Sequence, residues 1–386
     1  MIKFAIRQNL KFPLQLCLWN VLRDTESTLI SIYLKFDNAL IYTPLMFLGE
    51  FFAGLIIYSY HKKFLSKKEE ETITYQSIEL IRFEKYLKPQ DGTLKIFFLI
   101  FLSAFYDFVQ FVLSLNNPRF LHTSSSFESR LGGFLTVVDA LFYYYILKLP
   151  IFKHQLFSLI IIGICLAFVI ISEFFFVEIN IFLPYDYLFL LIFLTFIVQF
   201  CSAMVDSIEK YLYEYNKINQ FLVLMFEGIF GFCLSFIYGL FYDPFNDISQ
   251  YQKNNTTTEF TLLILGLILY LILSGGKNAY RVTTTKVYSP MTTTFLDYIL
   301  NPFYMIYDFA NDEDFNPKGE RNYAYFLLNL ILTFIISFCG LVYNEFLILF
   351  CCDLAINTHD QIMKRSQTDL ELGTLYNTHD DEATVV

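Results

Sequence analysis

Nine apolar runs, each long enough to cross a bilayer, dominate this chain and leave few folds open to it. They lie roughly at 39–59, 94–115, 127–147, 155–177, 187–206, 219–242, 260–276, 287–307 and 323–350. A spanning helix needs about 20 mostly apolar residues and a barrel strand about ten, so runs of this length predict helices. A tenth segment, 12–22, is apolar but short, and Lys3, Arg7 and Lys11 interrupt any extension toward the N-terminus. It reads as a shortened first span. A cleaved signal peptide is the competing reading, though no small-residue cleavage site follows the apolar part.

Composition excludes several classes of function. With 55% hydrophobic and 17% charged residues among 386, and a mean hydropathy of +0.48, the chain has too little polar material to coat a soluble body of its size. Lipid must solvate much of it. The net charge of −10 and the lack of a basic stripe argue against nucleic acid as a partner. The seven cysteines all lie in apolar runs without paired spacing, so they read as packing residues and not as disulfides or metal ligands. Five scattered histidines lack metal-ligand spacing, and there is no Gly-x-Ser-x-Gly elbow or P-loop. The expectation is therefore a non-enzyme with no metal or cofactor.

Loop charges give a topology. Counting the short first span, the loops after even-numbered spans carry fourteen basic residues (Lys62, Lys63, Lys67, Lys68, Arg82, Lys85, Lys88, Lys148, Lys153, Lys210, Lys217, Lys277, Arg281 and Lys286). The opposite loops carry six: Arg23, Lys35, Arg119, Lys253, Lys318 and Arg321. That bias predicts ten spans with both termini cytoplasmic. It also puts the overlapping glycosylation sequons of Asn254-Asn255-Thr256-Thr257 on the outer or lumenal side. Residues 61–92 read as a charged cytoplasmic loop with a short amphipathic helix, and 351–386 as an acidic cytoplasmic tail without periodicity, expected to be disordered.

An internal duplication is visible. Ser124-Ser125-Ser126-Phe127 has a counterpart 168 residues later in Thr292-Thr293-Thr294-Phe295, and each opens an apolar stretch carrying a carboxylate. Small hydroxyl residues let helices approach closely in lipid, and an intramembrane carboxylate is costly enough to need a purpose. Asp107, amid Phe105, Tyr106, Phe108 and Val109, must face the bundle interior, either lining a cavity or coupling protons, or partnering Arg130 or a tyrosine hydroxyl. Glu128 and Arg130 are too close in sequence to share a helix face, while Asp139 lies three turns beyond Glu128 on the same face. Lys286 either snorkels to the interface or contacts substrate, and Asp297 is deeper, with hydrogen bonding to nearby Thr or Tyr groups as its alternative role. Glu209-Lys210 reads as a solvated interfacial pair. Glu50 and Glu227 each stand beside a glycine and read as gate or packing residues.

Several of these pieces carry a family resemblance. Thr285-Lys286-Val287-Tyr288-Ser289-Pro290-Met291-Thr292-Thr293-Thr294-Phe295-Leu296-Asp297 resembles the run that opens the ninth helix in the drug/metabolite transporter superfamily, in its solute carrier 35 F-type branch. In the same order, Met46-Phe47-Leu48-Gly49-Glu50 is similar to the second-helix signature, Ala104-Phe105-Tyr106-Asp107 to the third-helix Asp motif, and Ser125 through Lys148 to the fourth helix. Gln199 through Lys210 resembles the sixth, Glu227-Gly228-Ile229-Phe230-Gly231 the start of the seventh, and Gly340 through Glu345 the close of the tenth.

The resemblance implies an all-α, polytopic membrane bundle of about ten helices in two inverted five-helix, EamA-like repeats, 1–180 and 181–350. It also implies alternating-access transport of a polar or anionic metabolite of the nucleotide-sugar kind, in an endomembrane such as the Golgi, endoplasmic reticulum or vacuole-lysosome. Asp107, Glu128, Arg130, Asn278, Lys286 and Asp297 are then the candidate substrate or coupling residues, with Glu50, Asp139, Gln199 and Glu227 behind them. Asn278 falls where the family has an Asn at the end of the eighth helix, whose backbone would be unwound. The partners expected are a small-molecule substrate, the bilayer and, for a dimer, a second copy. The chain departs from the pattern in having Thr293 where the family has Arg, and in placing Arg130 one residue, or about 100° of helix, away. Loss of a cation weakens the case for a doubly anionic substrate. A non-transporting scaffold or regulatory relative is the alternative.

Overall fold

A computed structural model describes residues 4–6, 11–36, 38–64, 92–121, 133–147, 151–177, 185–242, 244–287, 290–299, 301–310 and 323–350, with 354, 358 and 361. Its helices are α1 (Lys11–Leu34), α2 (Ala39–Phe64), α3 (Thr93–Leu121), α4 (Gly133–Tyr145), α5 (Lys153–Val177) and α6 (Tyr185–Glu214). They continue with α7 (Gln220–Tyr242), α8 (Pro244–Asn254), α9 (Thr257–Val287), α10 (Pro290–Tyr298), α11 (Asn301–Ala310) and α12 (Tyr323–Tyr343). Two short strands, β1 (Phe4–Ile6) and β2 (Leu347–Leu349), pair antiparallel with Phe4 opposite Leu349.

Seven of these helices, α2, α3, α5, α6, α7, α9 and α12, are long and apolar enough to cross a membrane. The remaining expected spans differ from the sequence reading in identifiable ways. The first helix is not short: α1 runs for 24 residues, but Arg23, Asp24 and Glu26 lie within it and dilute its apolar character. α4 is described for only 13 residues. The run 287–307 forms two short helices, with Pro290 opening α10 and Pro302 in the first turn of α11. Proline starts a helix readily and cannot continue one, because it has no N–H to donate. Residues 277–286, assigned above to a cytoplasmic loop, instead complete α9.

Local chemistry sets the helix ends. α2 begins where Asn38 Oδ1 accepts the Leu40 amide at 2.9 Å, and α7 where Asn219 Oδ1 accepts the Phe221 amide at 2.9 Å. α9 starts with a reciprocal capping box, the Thr256 amide donating to Glu259 Oε2 at 2.8 Å and the Glu259 amide to Thr256 Oγ1 at 3.3 Å. α1, α6 and α12 are each followed within three residues by a left-handed residue, Lys35 (φ 50°), Lys217 (φ 52°) and Glu345 (φ 57°), which turns the chain out of the helix.

α2 is the central element, packed against α7 on one side and α9 on the other; α3 packs on α6 and α7, α1 on α9, and α5 on α12. The α2–α7 contact is a backbone contact. A Cβ on Gly54 would lie 2.7 Å from the Met225 amide nitrogen, and one on Gly228 would meet the Phe47 carbonyl at 2.7 Å. α2 meets α9 the same way, since a Cβ on Gly275 would lie 2.6 Å from the Gly49 carbonyl. Glycine is what permits this approach, which is how helices gain van der Waals contact without a hydrophobic drive between them.

The outward faces are apolar. On α5, Leu156, Phe157, Ile160, Ile164, Phe168 and Ile171 are exposed at helical spacing, while Ile162, Cys165, Leu166 and Val169 on the other face pack against Leu332, Ile336 and Cys339 of α12. Such a surface needs lipid as its solvent. Polar side chains are correspondingly concentrated inside, among them Glu50, Asp139, Glu209, Lys210, Glu227 and Asn278.

Candidate functional site

The interior charges converge on the junction of α2, α3, α6, α7 and α9. On α9, Lys277, Asn278 and Arg281 fall within one turn on the same face, turned toward α2 and α6. The Arg281 guanidinium spans two carboxylates of α6: Nη2 lies 2.6 Å from Glu209 Oε1, and Nη1 lies 3.3 Å from Asp206 Oδ1. Glu209 and Lys210 are 0% exposed, which corrects the reading of a solvated interfacial pair. Burial of these charges is tolerated because each is paired. Lys210 Nζ contacts Glu214 Oε1 at 2.8 Å, one turn on, and donates to the Thr285 and Lys286 carbonyls at 3.2 and 3.4 Å. It thereby satisfies carbonyls in the last turn of α9 that have no helical partner.

Glu50, 1% exposed, enters from α2 and accepts a hydrogen bond from Asn278 Nδ2 at 2.6 Å. Glu227, 4% exposed, enters from α7 beside Ser103 of α3, with Glu209, Arg281 and Glu50 as its charged neighbours. Asp107 of α3 is half-buried and lies in the field of Arg281, Glu209, Lys277 and Glu50. Five carboxylates, Glu50, Asp107, Asp206, Glu209 and Glu227, are thus gathered around two cations, Arg281 and Lys277.

Of the residues singled out by sequence, Asp107, Asn278, Glu50 and Glu227 meet here. Asn278 does so from inside a continuous helix, so the expected unwound backbone is absent at that position and the side-chain amide supplies the polar group. Gln199 is buried on α6, two turns before Asp206 on the same face. Lys286 Nζ donates to Gln220 Oε1 at 2.8 Å at the start of α7. Asp139 lies elsewhere, accepting from Thr294 Oγ1 at 2.7 Å and so linking α4 to α10. Asp297 lies on α10, with its side chain outside the described ones, and Glu128, Arg130 and the Ser124–Phe127 triad lie outside the described residues altogether.

Asp206, Glu209 and Arg281 are absent from the sequence-derived candidates. Arg281 and Lys277 are charges after an apolar run that stops at 276, which makes them look like loop residues. The available signal was spacing: Asn278, Arg281 and Thr285 recur at three to four residues, as one face of a continuing helix requires. A cavity of about 390 Å³ lies beyond Gly54 toward the end of α2, lined by Leu55, Tyr58, Ser59, Lys62, Lys63 and Met225. In comparisons with models of protein families and with curated proteins, the chain matches none.

Proposed function

We propose that this protein is a multi-pass membrane transporter that moves a polar small metabolite by alternating access of two five-helix halves. The observation that carries the reading is the charged network buried where α2, α3, α6, α7 and α9 meet, within helices apolar enough to span a bilayer. Charge at that depth is costly, and a substrate or ion pathway is the usual reason for it. Its excess of carboxylate favours a substrate or coupling species that is not an anion, and so speaks against the nucleotide-sugar end of the expected range.

The pattern of helix contacts supports the two-repeat architecture. With α1 to α5 as one half, and α6, α7, α9, α10–α11 and α12 as the other, the contact α3 with α6 corresponds to α9 with α1, and α7 with α3 to α2 with α9. In the same way α4 with α6 corresponds to α10 with α1, while α2 with α7, α4 with α10 and α5 with α12 each map on to themselves. The turns repeat too: a left-handed Lys and then an Asn cap, Lys35 and Asn38 before α2, recur as Lys217 and Asn219 before α7. Inverted repeats that meet at the midplane are a recurrent transporter plan.

The β1–β2 ladder supports an even number of crossings. A two-stranded ribbon has open edges that hydrocarbon does not tolerate, so residues 4–6 and 347–349 belong on one side of the membrane. Seven crossings would separate them; ten would not. Both termini in the cytoplasm of an endomembrane compartment is the accompanying proposal. Mutual pairing of Arg281 with Asp206 and Glu209 is also what a purely structural network needs, so the competing reading is a non-transporting scaffold.

Counterflow in proteoliposomes separates the two. Saturable exchange of a nucleoside, amine or other polar metabolite that is not an anion, reduced by Asp107→Asn, is the expected outcome. Absence of flux across such a panel, with ligand-induced thermal shifts identical in wild type and D107N, would sink the transport reading.

A further inference from the structure

The crossing of α2 and α7 borders a cavity at one end of α2. The two helices touch backbone to backbone where a Cβ on Gly54 would lie 2.7 Å from the Met225 amide nitrogen, and they meet again where the His61 and Phe221 rings stand edge to face, centroids 5.1 Å apart. Met225 also lines the cavity of about 390 Å³, together with Leu55, Tyr58, Ser59, Lys62 and Lys63. The α2 residues recur at three- and four-residue spacing, so they follow one another up a single face of the helix. Their order is chemical: apolar Leu55 comes first, then the hydroxyls of Tyr58 and Ser59, then the ammonium groups of Lys62 and Lys63. From Leu55 to Lys62 the helix rises about 10 Å, enough to pass from hydrocarbon through a headgroup layer of about 5–8 Å. The stretch of α2 that is long and apolar enough to span a bilayer ends at Lys63, so the cationic end of the stripe is the end at the water.

We propose that this cavity binds an anionic phospholipid, its phosphate between Lys62 and Lys63, its glycerol esters at Tyr58 and Ser59, and an acyl chain against Leu55 and Met225. Lysine binds phosphate as a point charge, and tyrosine is at home at headgroup level. No carboxylate stands among the described residues that line the cavity, so the lining itself does not repel an anion. A free anion would use only the lysine end. The apolar end calls for a tail, and with Leu55 and its neighbour Ile56 both exposed, a tail enters sideways from the bilayer. The segment after α2 carries Lys67, Lys68, Arg82, Lys85 and Lys88, an excess that marks a cytoplasmic loop, and anionic lipid is held in the cytoplasmic leaflet. Basic pockets between membrane helices on that side bind such headgroups. A lipid seated here touches both α2 and α7, so it favours their crossing and stabilises the fold by mass action. Lys62 and Lys63 also face the negative end of the α2 dipole, but that role needs no lipid. The site is independent of whether the protein transports.

The test is thermal unfolding of the full chain, delipidated in a neutral detergent and titrated with phosphatidylserine, with phosphatidylcholine, or with the soluble headgroup glycerophosphoserine. A saturable rise in Tm with phosphatidylserine alone is the expected result. Lys62→Gln is expected to raise the half-saturating lipid about tenfold, the loss of one charge-assisted contact. Lys62→Arg keeps the cation and is expected to keep the response, as is Lys253→Gln, which removes an exposed charge on α8. Should Lys62→Gln fail to fold, Lys63→Gln takes its place with the same expectation. Equal shifts with phosphatidylcholine, or a phosphatidylserine response that survives glutamine at either lysine, overturn the site. A shift given as readily by glycerophosphoserine overturns the lipid and makes the occupant a soluble anion.

Discussion

Arg281 of α9 binds Glu209 of α6 at 2.6 Å, in a junction of two helices that Lys210 also ties by donating to the Thr285 and Lys286 carbonyls. The same guanidinium reaches Asp206, one turn back along α6, at 3.3 Å. The planar fork of arginine suits this two-carboxylate grip, and a lysine would supply only a point charge. Arg281→Gln strands both carboxylates and is expected to cost about 3–5 kcal/mol of stability, read as a lowered Tm in detergent. Adding Glu209→Gln to that variant is expected to recover part of the loss, since the penalty lies in the unpaired charge. A double variant no more stable than the single one would mean that the pair does not couple the helices.

The hydrogen bond from Asn278 to Glu50 joins α9 to α2 across the glycine contact of Gly49 and Gly275. Asn278→Leu keeps the side-chain size but removes the donor, at an expected cost of about 1–3 kcal/mol for a buried carboxylate left short of a partner. Asn278→Asp, which replaces the donor by a second carboxylate, is expected to lower Tm further at neutral pH and to recover toward wild type as pH falls. Equal effects of Leu and Asp at all pH values would argue against an ionised Glu50.

The α2–α7 crossing is expected to be intolerant of any side chain at its two glycines. Gly54→Ala and Gly228→Ala each drive a Cβ into backbone atoms of the facing helix, which no rotamer change relieves. Each is expected to cost about 1–3 kcal/mol and to lower the yield of folded protein. Gly163→Ala on α5, where a Cβ meets nothing within 4 Å, is the matched control and is expected to leave Tm unchanged or raised. Thermal unfolding of the three variants side by side decides the matter.

Asp139 and Thr294 place α4 against α10 through a 2.7 Å hydrogen bond. Cysteines introduced at both positions are expected to cross-link under a membrane-permeant oxidant, giving a product that reducing agent reverses and that single-cysteine controls lack. A cross-link that forms only in one condition of pH or ligand would identify α4–α10 as a moving contact.

Much of the bundle is legible in the chain. Run length alone yields the seven long apolar helices, because an apolar segment of that length in a lipid-solvated protein has no alternative to satisfying its own backbone. Helix ends are legible where a local rule acts, as at Asn38, Asn219 and the Thr256–Glu259 box. The intramembrane carboxylates Glu50, Asp107 and Glu227 stand out for the same reason, since a charge within an apolar run must face inward.

Only the tertiary structure decided which charges belong together. Lys277 and Arg281 resemble loop charges until α9 is seen to continue to Val287, and Glu209 and Lys210 resemble an interfacial pair until the neighbouring helices close over them. Asp139 looks like a member of the site and is found against Thr294 of α10, and Lys286 is found donating to Gln220 of α7. Sequence spacing fixes the face of a helix on which a side chain lies. Which face of which other helix it meets depends on crossing points set by Gly49, Gly54, Gly228 and Gly275, and those pairings join residues far apart in the sequence, such as Gly49 with Gly275 and Gly54 with Met225.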